Sequence, residues 1–187
     1  MDIFESEIKS ICNILSKPLK YVAENGVKSY NEFNINCCDL EDYNFIDIRK
    51  EGKFIELFQQ LAKIKGSCLY FIFLFSQHSK DEIIEKIQSY SQTENAKVIP
   101  AIKSRVEESK ILYLGKVKKS IWARVIQHLG YYKVTRTQGL QLFYWAKEAR
   151  LDLKFCVYEF DNNMENLMNV VENEMSKKLK PILGKHK

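Results

Sequence analysis

The chain of 187 residues contains no apolar run long enough to cross a bilayer. A spanning helix needs about 20 consecutive apolar residues, and the longest run here, SCLYFIFLFS at 67–76, is far shorter. The N-terminus, MDIFESEIKS, is acidic and amphipathic, without the basic start and apolar block of a secretory signal. Paired cysteines are lacking as well: Cys12, Cys37, Cys38, Cys68 and Cys156 are odd in number and irregularly placed. Cys68 and Cys156 lie inside apolar runs, where a reduced, buried thiol is expected. Beside Cys37 and Cys38 no second Cys or His pair stands at ligand spacing, so zinc is not expected. Nothing repeats internally and no segment is of low complexity, which excludes a solenoid or a tract of biased composition. These absences predict a cytoplasmic protein with no membrane partner.

What is present is a chain able to bury a core. Hydrophobic residues make up 45% and aromatics 12%, the balance of a globular domain with at most an appendage. The net charge of +5 is unevenly spread. Residues 1–66 hold 9 Lys/Arg against 11 Asp/Glu, whereas residues 67–187 hold 20 against 13. An excess of that sign in the second part points to a polyanionic partner.

Periodicity divides the chain. Residues 3–24 carry apolar groups at helical spacing, with Pro18 inside and Asn25-Gly26 after. Residues 27–50 are polar and read as irregular with at most one short strand. A helix is predicted at 53–65 through Phe54, Leu57, Phe58, Leu61 and Ile64, closed by Gly66. The run at 67–76 reads as a central strand. Further helices are predicted at 80–91, 120–129, 138–150 and 162–180, the last with Leu167, Val170, Val171 and Met175 as its buried stripe. Strands are predicted at 111–116 and 153–160. The expected class is α+β, a three-layer α/β sandwich with a small three-stranded antiparallel sheet flanked by helices. Residues 1–66 form a mainly helical N-terminal extension in this reading, and 67–187 the functional domain.

The stretch 111–128, ILYLGKVKKSIWARVIQH, concentrates the chemistry. A short apolar strand breaks at Gly115; Lys116, Lys118 and Lys119 follow, and Ser120 stands at the expected N-cap of a helix. Arg124 and His128 are four apart and so share a helix face. A cationic fork and a titratable imidazole thereby stand near a helix start, where backbone N–H groups favour anions. Lys133 and Arg136 lie in a basic, aromatic loop just beyond.

Cys68-Leu69-Tyr70 and Tyr113-Leu114-Gly115 stand where the GIY-YIG nuclease superfamily has its two signature tripeptides, and over residues 67–187 the chain resembles that family. Arg124 and His128 match the helix arginine and the histidine four residues on. Glu172 matches the late-helix glutamate, with Pro181 nine residues after it as in the family. There are departures: Cys68 replaces the first glycine, and the gap between the two motifs is long. Arg124 lies one residue further from Tyr113 than the commonest spacing, and Gly184 stands where many members keep an asparagine. The resemblance implies a metal-dependent endonuclease that hydrolyses phosphodiester bonds in DNA. Its site would hold Tyr70, Tyr113, Arg124, His128 and Glu172, with Glu172 binding Mg²⁺ or Mn²⁺.

The residue types suit that chemistry. A carboxylate holds Mg²⁺ when waters and a phosphate complete an oxygen octahedron, and Arg124 offers a planar fork to phosphate oxygens. Tyr70 and Tyr113 would flank the attacking water, which requires Arg124, Lys116 and the metal to lower a phenol pKa from about 10. Lys116, Lys118, Lys119, Lys133 and Arg136 would contact nucleic acid. One site cuts one strand, so double-strand cleavage requires a homodimer or sequential nicking. The alternative is a binding module on the same fold that holds nucleic acid or a protein without cleaving it.

Overall fold

In the computed structural model, which describes residues 3–103, 109–132, 134, 136 and 138–184, the apolar run at 67–76 becomes an inner strand. This strand, β2 (Ser67–Leu74), pairs antiparallel with β3 (Ile111–Val117) on one side and with β4 (Asp152–Phe160) on the other. The sheet has four strands, not the three expected. Strand β1 (Ser29–Asn36) lies antiparallel along the far side of β4, giving the order β1-β4-β2-β3. Its sequence, SYNEFNIN, is rich in poor strand formers and buries only Phe33 and Ile35. An edge strand with one solvated face needs no more than that. The expected N-terminal extension therefore contributes a strand to the same sheet.

Helices cover both faces. On one, Tyr70, Ile72 and Phe155 join residues of α2 (Ile55–Leu61), α3 (Lys80–Ser91), α4 (Ile121–Leu129) and α5 (Leu142–Trp145) in the larger core. On the other, Leu69, Phe71 and Leu114 meet Met168 of α6 (Met168–Leu179), and Val22 of α1 (Ile3–Asn25) packs against them. The helix expected at 138–150 is reduced to four residues: left-handed backbone at Gln141 delays its start, and a turn over 146–150 replaces its second half. Ser120 stands at the N-cap of α4 as expected, but it is also left-handed (φ 58°) and makes no side-chain capping bond. Helix α3 is better defined than its spacing suggested: Ser79 and Glu82 close a reciprocal capping box.

Two polar devices fix the sheet ends. Buried Glu159 on β4 accepts from the Gly66 N–H (2.8 Å), the Lys65 N–H (3.1 Å) and the Ser29 hydroxyl (2.9 Å), and pairs with Lys28 at 2.9 Å. Burial opposes its charge, but Lys28 and these donors outweigh it and lower its pKa. At the opposite edge, the Ile182 and Leu183 N–H groups donate to the Ile111 and Leu112 carbonyls of β3, at 2.9 and 3.0 Å. Residues 101–103 add outside that segment, through Gly184 N–H to Ala101 O (2.9 Å) and Lys103 N–H to Ile182 O (3.2 Å). The outer edge of β3 is thus covered rather than open. Among the described residues no helix is long and apolar enough to cross a membrane.

Candidate active site

Strand pairing brings the two tyrosines to one face. Tyr70 lies opposite Gly115 and Ile72 opposite Tyr113, so alternation directs both phenols into the same layer. Their ring centroids are 6.1 Å apart. The glycine has a steric reason: a Cβ built at Gly115 would stand 2.5 Å from Tyr70 Oη and 2.7 Å from a Tyr113 ring carbon. Only a residue without a side chain leaves that phenol its place.

Helix α4 buries Ile121, Val125 and Leu129 at the spacing read from the sequence, and so turns Arg124 and His128 toward the sheet. His128 Nε2 lies 2.9 Å from Tyr70 Oη, and Arg124 Nε–H donates to the same oxygen at 3.1 Å. The Leu140 N–H donates to His128 Nδ1 (3.3 Å), which makes Nδ1 the acceptor and places the proton of the neutral ring on Nε2. Tyr70 Oη thus receives two N–H donors, and its own proton is directed away from both. The Leu140 carbonyl in turn accepts from Trp145 Nε1–H at 2.7 Å, extending the chain of bonds into the core.

Burial sets the charges. Tyr70 is 0% exposed. Desolvation, and then Tyr113, raise its pKa, and Arg124 only partly offsets them. Of the three groups expected to lower a phenol pKa (Arg124, Lys116 and the metal), Arg124 acts on Tyr70 in that direction but does not outweigh burial, so by itself it leaves the phenol neutral. His128 is also buried, and desolvation followed by Arg124 pushes its pKa well below the ordinary value, so the ring is neutral. Burial likewise opposes the charge of Arg124, but the oxygens of Tyr70 and Tyr113 prevail and its pKa is raised. Arg124 Nη1 donates to Gln127 Oε1 (2.6 Å) and to the Gln138 carbonyl (2.9 Å). With the Nε bond, three of its N–H groups are engaged within the protein. Tyr113 is only partly buried and is the phenol of the pair that reaches the surface.

Glu172 arrives from α6. That helix buries Met168, Glu172 and Ser176, four apart; of the stripe expected, Leu167 is buried and Val171 and Met175 pack partly buried against the same core, whereas Val170 is exposed. Glu172 is 8% exposed, and its negative charge acts on Tyr70, raising that pKa further. One turn along, Ser176 Oγ accepts from Lys103 Nζ at 2.9 Å, and burial lowers the Lys103 pKa. Sequence reading missed Lys103, Gln127 and the Leu140 peptide. Gln127 alone carried a signal, being three residues from Arg124 on a helix.

The basic residues are less gathered than expected. Lys116 lies opposite Leu69 and so shares the face away from Tyr70. Lys118 pairs with Glu165 at 3.1 Å, while Lys119 and Arg136 are exposed. Lys133 lies outside the described residues, as do Lys185, His186 and Lys187 beyond Gly184. Among the described residues no group of three or more His, Cys, Asp or Glu side chains is placed to hold a metal. Compared with known proteins, the chain matches no family model, no curated protein and no solved structure.

Proposed function

We propose that the chain is a divalent-metal-dependent endonuclease of GIY-YIG type that hydrolyses phosphodiester bonds in DNA. The observation that carries this reading is the hydrogen-bonded set around one phenol. Tyr70 Oη is fixed by His128 at 2.9 Å and Arg124 at 3.1 Å, opposite a glycine whose missing side chain makes the room. Such a network is more than packing requires, since a phenylalanine would fill the same volume without two polar partners.

The donor set fits a hard cation. Glu172 supplies one carboxylate, and an oxygen-preferring Mg²⁺ or Mn²⁺ takes its remaining ligands from water and phosphate. Bound there, the cation would relieve charge on the phosphate and the leaving oxygen. The chain's own residues divide the other tasks. Tyr113, at the surface, orients the attacking water. Arg124, held flat by Tyr70, Gln127 and Gln138, presents its remaining N–H groups to a non-bridging oxygen. His128 and Tyr70 act as neutral positioning residues that hold the guanidinium in register. Lys103, beside α6, stands close to the corner where Gly184 replaces the family's asparagine.

The test is nicking of supercoiled plasmid and cleavage of oligonucleotides by wild type and Glu172→Gln, with and without a chelator. The expected outcome is Mg²⁺- or Mn²⁺-dependent cleavage that falls by orders of magnitude in the variant while DNA binding survives. Removing one negative charge from a phosphate-facing site does not weaken binding. The competing reading is a module that binds without cutting, and the complete burial of Tyr70 favours it. Wild type that binds DNA and never cleaves any substrate decides for that module.

A further inference from the structure

Lys103 meets α6 on the stripe that holds Glu172. Residues 101–103 run along 182–184 outside β3, joined by the Ile102–Leu183 bridge and by the two backbone bonds given above. Ile102 packs against the larger core, so alternation turns Lys103 to the opposite face, where α6 lies. There its ammonium donates to Ser176 Oγ at 2.9 Å, and its Cε passes 4.0 Å from where a Cβ at Gly184 would stand. Ser176 is 1% exposed, and Lys103 is itself partly buried. A lysine taken out of water normally has a carboxylate beside it. Among the described residues no carboxylate offsets the cost here: burial alone acts on the Lys103 pKa, and lowers it. More cations stand nearby. Ile182 bonds both to Lys103 and to Ile111, so exposed Lys110, just before β3, and exposed Lys180, two residues before Ile182, begin at the same corner.

We infer that Lys103 is a subsite for a backbone phosphate of the nucleic acid, a few nucleotides from the phosphate served by Glu172 and Arg124. A partly buried ammonium accepts an anion readily, and its two N–H groups not bonded to Ser176 can donate to phosphate oxygens. Ser176, too buried to touch DNA, is a positioning residue that aims the ammonium. The spacing fits a neighbouring phosphate. Glu172 and Ser176 are one turn apart, about 6 Å along α6, and the Glu172 side chain leans toward the N-terminus, away from Ser176. Successive phosphates of one strand advance about 3.4 Å along a duplex, so the two groups serve different phosphates of one strand. Lys103 thereby fixes how the strand lies across the end of α6. The inference rests on the nuclease reading for its ligand, and adds a contact from a segment outside the motifs that carry the resemblance.

The test is binding of a fluorescein-labelled duplex oligonucleotide to the full chain, read by anisotropy in chelator so that no cleavage intervenes. Lys103→Met keeps the apolar stem and removes the charge. It should lower affinity roughly three- to tenfold and reduce the slope of log affinity against log salt by about 1. Lys103→Gln should do the same, and Lys103→Arg should restore the slope. Ser176→Ala should weaken binding in the wild-type chain and add nothing in the Lys103→Met chain, because it acts only through the ammonium. A slope unchanged in both neutral variants overturns the inference, as does a Ser176→Ala effect that persists in full without Lys103. The nuclease reading fails separately. Wild type that binds the duplex through Lys103, yet cleaves nothing with Mg²⁺ or Mn²⁺, keeps the subsite and loses the cleavage. Wild type with no affinity for DNA overturns both.

Discussion

The phenol of Tyr70 is caught between two opposing influences. Two N–H donors favour its anion, and removal from water favours the neutral form; burial prevails, so the residue serves as a fixed acceptor. His128 owes its neutrality to the same burial, and that has a thermodynamic signature. In the unfolded chain the imidazole titrates near 6.5, and in the fold its pKa is well below that. Above the unfolded value both states are neutral and the stability is complete. As pH falls below it the unfolded state takes up the proton first, so stability drops by about 1.4 kcal/mol per pH unit until the folded ring is protonated. Urea titrations between about pH 7.5 and about pH 5 should show this slope, and His128→Gln should remove its share of it. Gly115→Ala gives a second measurement at the same phenol. Its added methyl meets Tyr70 Oη and should cost about 1–3 kcal/mol of unfolding free energy. Tyr70→Phe in the same chain should recover part of that loss, so the two changes will be less than additive.

Elements were legible where their chemistry was one-sided. The run at 67–76 is apolar on both faces and could only be an inner strand, and α4 follows its Ile121, Val125, Leu129 spacing. Strand β1 was hidden because its asparagines and glutamate suit a loop equally well; pairing with β4, invisible in the local sequence, decides the matter. Glu172 was found through the resemblance, but its setting was misread. The apolar Val170 faces outward, and the carboxylate takes a place in the buried stripe that periodicity alone would assign to a hydrophobe. Among the site residues, Tyr70, Tyr113, Arg124 and His128 do converge, whereas Lys116 falls on the opposite face because strand alternation separates it from Tyr113 by an odd number of residues. The entry to α4 carries its own prediction. Ser120 is left-handed without a capping bond, a conformation that costs a non-glycine residue roughly 1–2 kcal/mol. Ser120→Gly should therefore leave the melting temperature unchanged or raise it, with a gain of up to about 1 kcal/mol after the added freedom of the unfolded chain.

Across the whole molecule, charge and connectivity are distributed unequally. The basic surplus of residues 67–187 makes any DNA affinity salt-dependent, but only some of the expected lysines are available to supply it. Replacing the exposed Lys119 or Arg136 by alanine should weaken binding to all sequences alike and reduce the slope of log affinity against log salt by about 1 each. An unchanged slope would show that these side chains only solvate the surface. Connectivity is set by β4, which holds β1 on one side and β2 on the other and carries Glu159 at the end of all three. A ribosome delivers the chain from one end, so β1 leaves the exit tunnel more than a hundred residues before its mate is made. Strands β2 and β3 can join early, but β1 must wait, and closure over long sequence separations is slow. The polar, asparagine-rich face of β1 is well suited to that interval: a strand that must linger unpaired among other proteins, or in a refolding tube, is safest when it has little to offer a stranger.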